Sequence, residues 1–214
     1  MSRGLKGELK LPGDKSVSHR ALILGAMAEG FTYIQGLSDG EDVRSTWLCL
    51  QALSARITSE KDTVTVKGLG WRGLRTPKRD LDAGNSGTTM RLMAGILAAH
   101  PFTTTMTGDE SLSRRPMRRV IEPLSQMGCR IDATDGRPPL TIHGTTLHAI
   151  TFRAATPSAQ VKSSVLLAGL HTEGTTTVVE PAQTHKALRR QLLHAFGWLL
   201  LRPPKVVLHL HPEP

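Results

Sequence analysis

Aromatic side chains are scarce in this 214-residue chain: four Phe, three Trp and one Tyr, 4% of the sequence. Proteins that grip single-stranded nucleic acid use aromatic platforms interleaved with basic residues, and no such alternation occurs here. Zinc-finger and basic-zipper spacings are missing as well. Cysteine is rarer still. Cys49 and Cys129 lie far apart in the apolar stretches WLCLQAL and LSQMGCRI. They are too few for a disulfide framework or a zinc site and read as buried free thiols. The nine histidines show no metal-ligand spacing, so no metal is expected. No apolar run reaches the roughly 18 residues that a membrane helix needs. The first residues, MSRGLKGELKLPGDKS, lack the apolar stretch of a signal peptide. The expectation is a cytoplasmic protein with neither membrane nor nucleic acid as partner.

Acidic residues are also in deficit. The chain has 18 Asp and Glu against 27 Lys and Arg, a formal net charge of +9. Such an excess favours an anionic partner. The basic residues are spread along the chain rather than massed in one arm, which suits small phosphorylated or carboxylated ligands better than a polymer. Apolar residues make up 39%, enough to bury a core in one large domain or two small ones.

What the sequence does have is a repeat. GDKSVSHRALILGAMAEG starts at Gly13, GNSGTTMRLMAGILAAHP at Gly84 and TPSAQVKSSVLLAGLHTEG at Thr156. Arg20, Arg91 and Lys162 hold the same place in each copy, 71 residues apart. Each copy opens with small polar residues, gives one cation, then runs apolar for about three turns. A fixed period of this kind marks a repeated supersecondary unit.

The units cover about 13–80, 81–149 and 150–214, each with the order β-α-β-α-β-β. In the first, a helix is expected over 16–29, capped by Asp14, Ser16 or Ser18 and stopped by Gly30. A strand over 31–37, a second helix in GEDVRSTWLCLQALS and a hairpin in ARITSEKDTVTVKG follow. In the second, TTMRLMAGILAAH and SRRPMRRVIEPLSQMG are the helices. Pro116 falls in the first turn of the latter and Gly128 ends it. In the third, AQVKSSVLLAGLHTEG and THKALRRQLLHAFG are the helices, TTTVVE is a strand, and WLLLRPPKVVLHLHPEP is a degenerate hairpin. Three such units around a pseudo-threefold axis form an inside-out α/β barrel domain, helices inside and sheets outside. An ordinary two-layer α/β sandwich is the alternative.

Helix N-termini present unpaired N–H groups and a partial positive charge, so they suit anions. Lys15 adds a mobile charge at the first start. Gly87 lets a ligand approach the backbone at the second. Ser158 and Gln160 add neutral donors at the third. Arg20, one turn inside its helix, suits a bidentate pair with a carboxylate. In the basic cluster ESLSRRPMRR, Arg115 precedes Pro116 at a helix start and points along the opening of the site, whereas Arg118 and Arg119 read as a solvated face.

Taken together, LPGDKSVSHRALILGAMAEG, LDAGNSGTTMRLMAGIL, GDESLSRRPMRRVIEPLSQMG and ATPSAQVKSSVLLAGL resemble the signatures of the EPSP synthase family, nearly unbroken over about residues 5–183. The related UDP-N-acetylglucosamine enolpyruvyl transferases carry Asn where this chain has Ser16, and a loop cysteine that is missing between Glu110 and Arg115. The resemblance implies transfer of the enolpyruvyl group of phosphoenolpyruvate to the 5-hydroxyl of shikimate 3-phosphate, in the shikimate pathway of aromatic amino acid biosynthesis, with no metal or organic cofactor. It implies that Lys15 contacts both substrates. Ser16, Arg20, Ser158, Ala159 and Gln160 would hold shikimate 3-phosphate, with Arg20 on its carboxylate. Gly87 and Arg115 would hold phosphoenolpyruvate, supported by Asn85, Thr88 and Arg91. Gly87 is also where the herbicide glyphosate packs in the family.

The family's enzyme is about twice this length, with two threefold domains that close over the substrates. By the resemblance, residues 1–12 form an opening strand that belongs to the other domain, and 13–214 form the substrate-binding domain. The second domain, with the family's catalytic Asp and Glu, is not within the sequence. Turnover is then expected to need a C-terminal half as partner, the alternative being a non-catalytic module that binds shikimate 3-phosphate. After EPAQT the chain also departs from the family's usual Arg-Asp-His-Thr-Glu, giving His185, Lys186, Ala187, Leu188, Arg189 and Arg190.

Overall fold

The computed structural model describes residues 13–179 and the backbone of 206–209. The first unit opens with α1 (Lys15–Met27), whose N-cap is Asp14: its carboxylate accepts from the Val17 N–H at 2.8 Å. Strand β1 (Phe31–Gln35), helix α2 (Glu41–Ala52) and the hairpin β2 (Arg56–Glu60) and β3 (Thr63–Lys67) follow. The second unit runs β4 (Leu81–Asp82), α3 (Gly87–Leu97), β5 (Thr103–Thr107), α4 (Glu110–Ser113), α5 (Arg118–Gln126), β6 (Arg130–Thr134) and β7 (Arg137–His143). Ser86 caps α3. The third gives β8 (Thr151–Arg153), α6 (Ala159–Gly169), capped by Ser158, and β9 (Thr177–Val179).

One helix is corrected. SRRPMRRVIEPLSQMG does not form a single helix with Pro116 in its first turn. Asp109 caps the one-turn α4, and α5 starts only at Arg118, with Met117 as N-cap. Arg114, Arg115 and Pro116 form the link between them. Separate capping by Asp109 closes the first turn early, and the residue before a proline is pushed out of the helical region.

The fold is mixed α/β, and the described strands form no closed barrel. The described strands form three separate sheets, ordered β2-β3-β1, β6-β7-β5-β4 and β8-β9, because each hairpin pairs within its own unit. In the second and third units the strand before the first helix pairs in parallel with the strand after it, β4 with β5 and β8 with β9. In the first unit that place beside β1 is taken by β10 (Val206–His209), also parallel. This part of the tail therefore extends the first sheet. The rest of the expected tail hairpin, the helix expected over 184–197 and residues 1–12 lie outside the described residues.

Helix α1 is buried without a break from Val17 to Met27, and α3 from Leu92 to Leu97. A helix apolar nearly all round belongs in an interior. Leu22, Ile23, Leu24, Met90, Leu92 and Met93 are almost fully buried, each contributing about 1.5–3 kcal/mol. α3 and α6 cross closely at Gly95, where a Cβ would lie 2.2 Å from the Ser164 carbonyl oxygen. Beyond the C-terminal ends of these helices, Trp71 stacks on His171 at 4.5 Å between ring centroids, and His100 meets His171 edge-on at 5.3 Å. One ring from each unit meets there. Among the described residues no helix is long and apolar enough to cross a membrane.

Candidate functional site

The three helix starts are stitched together by side chains from the repeated positions. Arg20 is 2% exposed. Its Nη1 donates to the Ser16 carbonyl at 2.7 Å, one turn back. Its Nη2 crosses to α6, donating to Ser163 Oγ at 2.7 Å and to the Ala159 carbonyl at 3.3 Å. Arg91 repeats the pattern in α3. Its Nη1 donates to the Gly87 carbonyl at 3.2 Å and to Gln160 Oε1 at 2.9 Å. Gln160 Nε2 in turn donates to Thr88 Oγ1 at 2.8 Å. Both cations thus tie their own helix start to that of the third unit.

Around the second start lies a polar frame. Asn85 donates to Asp109 Oδ2 at 2.7 Å and accepts from Arg115 Nη2 at 2.6 Å. The Asn85 amide and the Leu112 N–H hold the Asp109 carboxyl below its ordinary range. Arg91 is lowered from the usual arginine value by burial and by the nearby charges of Arg115 and Arg119. Three guanidinium groups therefore share one region, and an anion placed among them would relieve their mutual repulsion. Gly87 faces the same region: a Cβ there would lie 2.7 Å from Arg91 Nη1 and 3.4 Å from Arg115 Nη1.

The structure gathers Ser16, Arg20, Ala159 and Gln160 with Thr88, Arg91 and Gly87. Asn85 and Arg115 flank them on one side. Lys15 stands at the α1 start in an ion pair with Asp42 of α2. Ser158 serves as the α6 N-cap, its oxygen accepting from the Val161 N–H at 3.4 Å.

Three residues of this frame escape a reading by motif. Asp42 is the second residue of the second helix of its unit, and nothing in its spacing ties it to Lys15. Ser163 lies between Lys162 and Ser164, just ahead of the apolar run, with no local pattern to mark it. Arg119, read from sequence as part of a solvated face, is exposed and also reaches from α5 to the carbonyl and hydroxyl of Thr156, just before the third helix start. Its spacing of four from Arg115 is the one signal in the sequence. A groove lined by Gly13, Leu37, Asp39, Trp47, Leu48 and Lys61 contains none of the expected site residues. Among the described residues, no three His, Cys, Asp or Glu side chains converge in a way that could hold a metal.

The family model for EPSP synthase (3-phosphoshikimate 1-carboxyvinyltransferase) matches residues 1–199. The chain belongs to the EPSP synthase family. It is 53% identical over 201 residues to a 3-phosphoshikimate 1-carboxyvinyltransferase of Halorhodospira halophila, covering 92% of this chain and 45% of that protein. It is 49% identical over 203 residues to one of Brevibacillus brevis, covering 94% and 47%. A solved EPSP synthase from Acinetobacter baumannii superposes with a TM-score of 0.85 at 46% identity, over 89% of this chain and 44% of that one. The chain spans about half the length of the curated EPSP synthase relatives it matches.

Proposed function

We propose that this chain supplies the shikimate 3-phosphate side of an EPSP synthase site, together with one wall for phosphoenolpyruvate. The transferase reaction moves the enolpyruvyl group from phosphoenolpyruvate to the 5-hydroxyl of shikimate 3-phosphate and releases phosphate. The observation that carries this reading is the cluster of Arg91, Arg115 and Arg119 beside the start of α3, joined by Gln160 to the start of α6. A cluster of cations at helix N-termini suits substrates that are polyanions.

In this reading the Ser158 hydroxyl and the Ala159 backbone N–H take the phosphate of shikimate 3-phosphate, and Gln160 lies against the ring. Ser16 and Arg20 hold the carboxylate, which replaces the long contact between Arg20 and the Ala159 carbonyl. Lys15 exchanges Asp42 for the two substrates. The backbone at Gly87 and the Arg115 guanidinium receive phosphoenolpyruvate, while Asn85, Thr88 and Arg91 hold them in place. The arrangement as a whole is three helix-and-sheet units about a pseudo-threefold axis, helices inward, with residues 13–214 as one substrate-binding domain.

Protonation of the vinyl carbon needs a positioned acid. The two carboxylates of the frame are engaged, Asp42 with Lys15 and Asp109 with Asn85. The acid–base groups therefore come from the part of the family's length that lies outside this sequence. The test is phosphate release from phosphoenolpyruvate and shikimate 3-phosphate. The 214-residue chain alone is expected to be silent, and turnover is expected when the C-terminal half of a relative is added. Turnover by the chain alone that Lys15→Ala abolishes would contradict the division of labour. Silence in the mixture, together with binding of shikimate 3-phosphate by the chain, would favour a non-catalytic binding module.

A further inference from the structure

The buried interior holds a polar chain that the site description leaves unused. His19 Nδ1 lies 2.7 Å from Thr46 Oγ1, Thr46 Oγ1 lies 2.7 Å from Thr89 Oγ1, and Thr89 Oγ1 lies 2.8 Å from Ser86 Oγ. All four side chains are at or below 1% exposure. The chain starts on α1 one residue before Arg20, passes through α2, and ends on the N-cap of α3, one residue before Gly87. We propose that His19 is a positioning residue, fixing the start of α3 relative to the start of α1 through Thr46, Thr89 and Ser86.

The ring sets the direction of the bonds. Among the described residues only Nδ1 of His19 has a partner, and an N–H buried without an acceptor costs more than a bare lone pair. The ring proton therefore sits on Nδ1, which donates to Thr46 Oγ1. Thr46 then gives its own proton to Thr89 Oγ1, and Thr89 donates to Ser86 Oγ at 2.8 Å, with the Asp42 carbonyl 3.1 Å from the same hydroxyl. Ser86 Oγ also accepts from the Thr89 N–H at 3.1 Å, which caps α3. The bonds run one way from imidazole to helix cap.

The other ring nitrogen, Nε2, is buried without a hydrogen-bond partner among the described residues. A bare lone pair there fits a neutral ring, whereas a second N–H would be stranded. The charged groups around the ring are Asp42 on α2 and Lys15 and Arg20 on α1. Burial outweighs the Asp42 charge and takes the His19 pKa down to about 4, so the ring stays neutral and the tautomer stays fixed across the ordinary range. The consequence for ligands rests on the proposed function, because it is Gly87 and Arg20 that the chain holds in register. The chain of bonds itself does not rest on it.

The test uses the full 214-residue chain with 15N-labelled histidine. Nuclear magnetic resonance is expected to show His19 protonated at Nδ1 and bare at Nε2, unchanged down to about pH 5. His19→Asn keeps an N–H donor at the δ position, whereas His19→Leu removes it. Amide exchange at Gly87 and Thr88 should rise about tenfold in the Leu variant and stay near wild type in the Asn variant. Shikimate 3-phosphate should bind about tenfold more weakly to His19→Leu, and within about twofold of wild type to His19→Asn. An Nε2–H tautomer, an Asn variant as impaired as the Leu variant, or unchanged exchange in the Leu variant would overturn the proposal. If His19→Leu fails to fold, Thr89→Val takes its place, and the wild-type tautomer still decides. Failure of the wild type to bind shikimate 3-phosphate would count against the proposed function and leave the resonance and exchange results to judge His19.

Discussion

Gln160 Oε1 accepts a hydrogen bond from Arg91 Nη1 at 2.9 Å, so the third repeat orients the cation of the second. The same amide donates to Thr88, and one side chain thereby spans two helix starts. Gln160→Ala should free Arg91 and Thr88 together. Calorimetry is expected to show shikimate 3-phosphate binding weakened about tenfold, and thermal unfolding a loss of about 1–3 kcal/mol. Gln160→Glu would place a carboxylate beside Arg91 and should weaken anion binding at least as much.

Gly87 has no room for a side chain on its ligand face. A Cβ at 2.7 Å from Arg91 Nη1 meets the far end of a flexible side chain, so the fold should tolerate Gly87→Ala with little change in unfolding midpoint. The guanidinium groups would shift instead. Binding of phosphoenolpyruvate, measured in the mixture with a C-terminal half, should weaken about tenfold, while shikimate 3-phosphate binding should change far less.

Gly95→Ala gives the opposite pattern. Its Cβ would lie 2.2 Å from the backbone oxygen of Ser164, and backbone cannot swing aside. Separation of α3 from α6 should cost about 3 kcal/mol, read as a lower urea midpoint. Ligand affinity per folded molecule should drop too, because both helix starts depend on that crossing.

Acid should unfold the chain by way of its neutral histidines. Burial holds His171 at about 3 and His19 at about 4, and lowers His100 as well. The unfolded chain binds these protons near pH 6.5, and the folded chain does not. The sign is therefore fixed: stability is fully present above about pH 6.5 and is lost as pH falls toward those folded values. Each such group steepens the slope by up to about 1.4 kcal/mol per pH unit. His171→Phe keeps a ring against Trp71 but cannot be protonated, so unfolding midpoints measured from pH 7 to 4 should flatten in that variant.

Arg119 tests the third start. Its hydrogen bonds to Thr156 are solvent-exposed and carry little stability, so Arg119→Ala should leave the unfolding midpoint within about 0.5 kcal/mol. Its charge beside Arg91 should matter more. Affinity for shikimate 3-phosphate should fall several-fold, with a shallower dependence on salt than the wild type shows.

Much of this fold is legible in the sequence because local signals repeat. Asp14, Ser86 and Ser158 each sit before an apolar run with a cation one turn in, and each caps a helix. The turns Lys61–Asp62 and Asp135–Gly136 fall in the two expected hairpins. The link from Arg114 to Pro116 was less legible, because whether a proline begins a helix or interrupts one depends on the competing cap at Asp109. The partners of Arg20, Arg91 and Arg119 lie on other elements, at sequence separations that no local pattern encodes. Arg20 and Arg91 look alike within their helices, yet one meets Ser163 and the other Gln160, a difference set by helix packing. A period does not say how units pack against one another, and the described hairpins each pair within their own unit.

The central claim is that the gathered helix starts bind shikimate 3-phosphate. Titration calorimetry of the folded 214-residue chain with shikimate 3-phosphate, up to millimolar concentration, tests it most directly. The account predicts saturable binding, weakened at least tenfold by Lys15→Ala and by Ser158→Ala in variants that remain folded. A flat isotherm from folded wild-type protein, or binding indifferent to both substitutions, would contradict it.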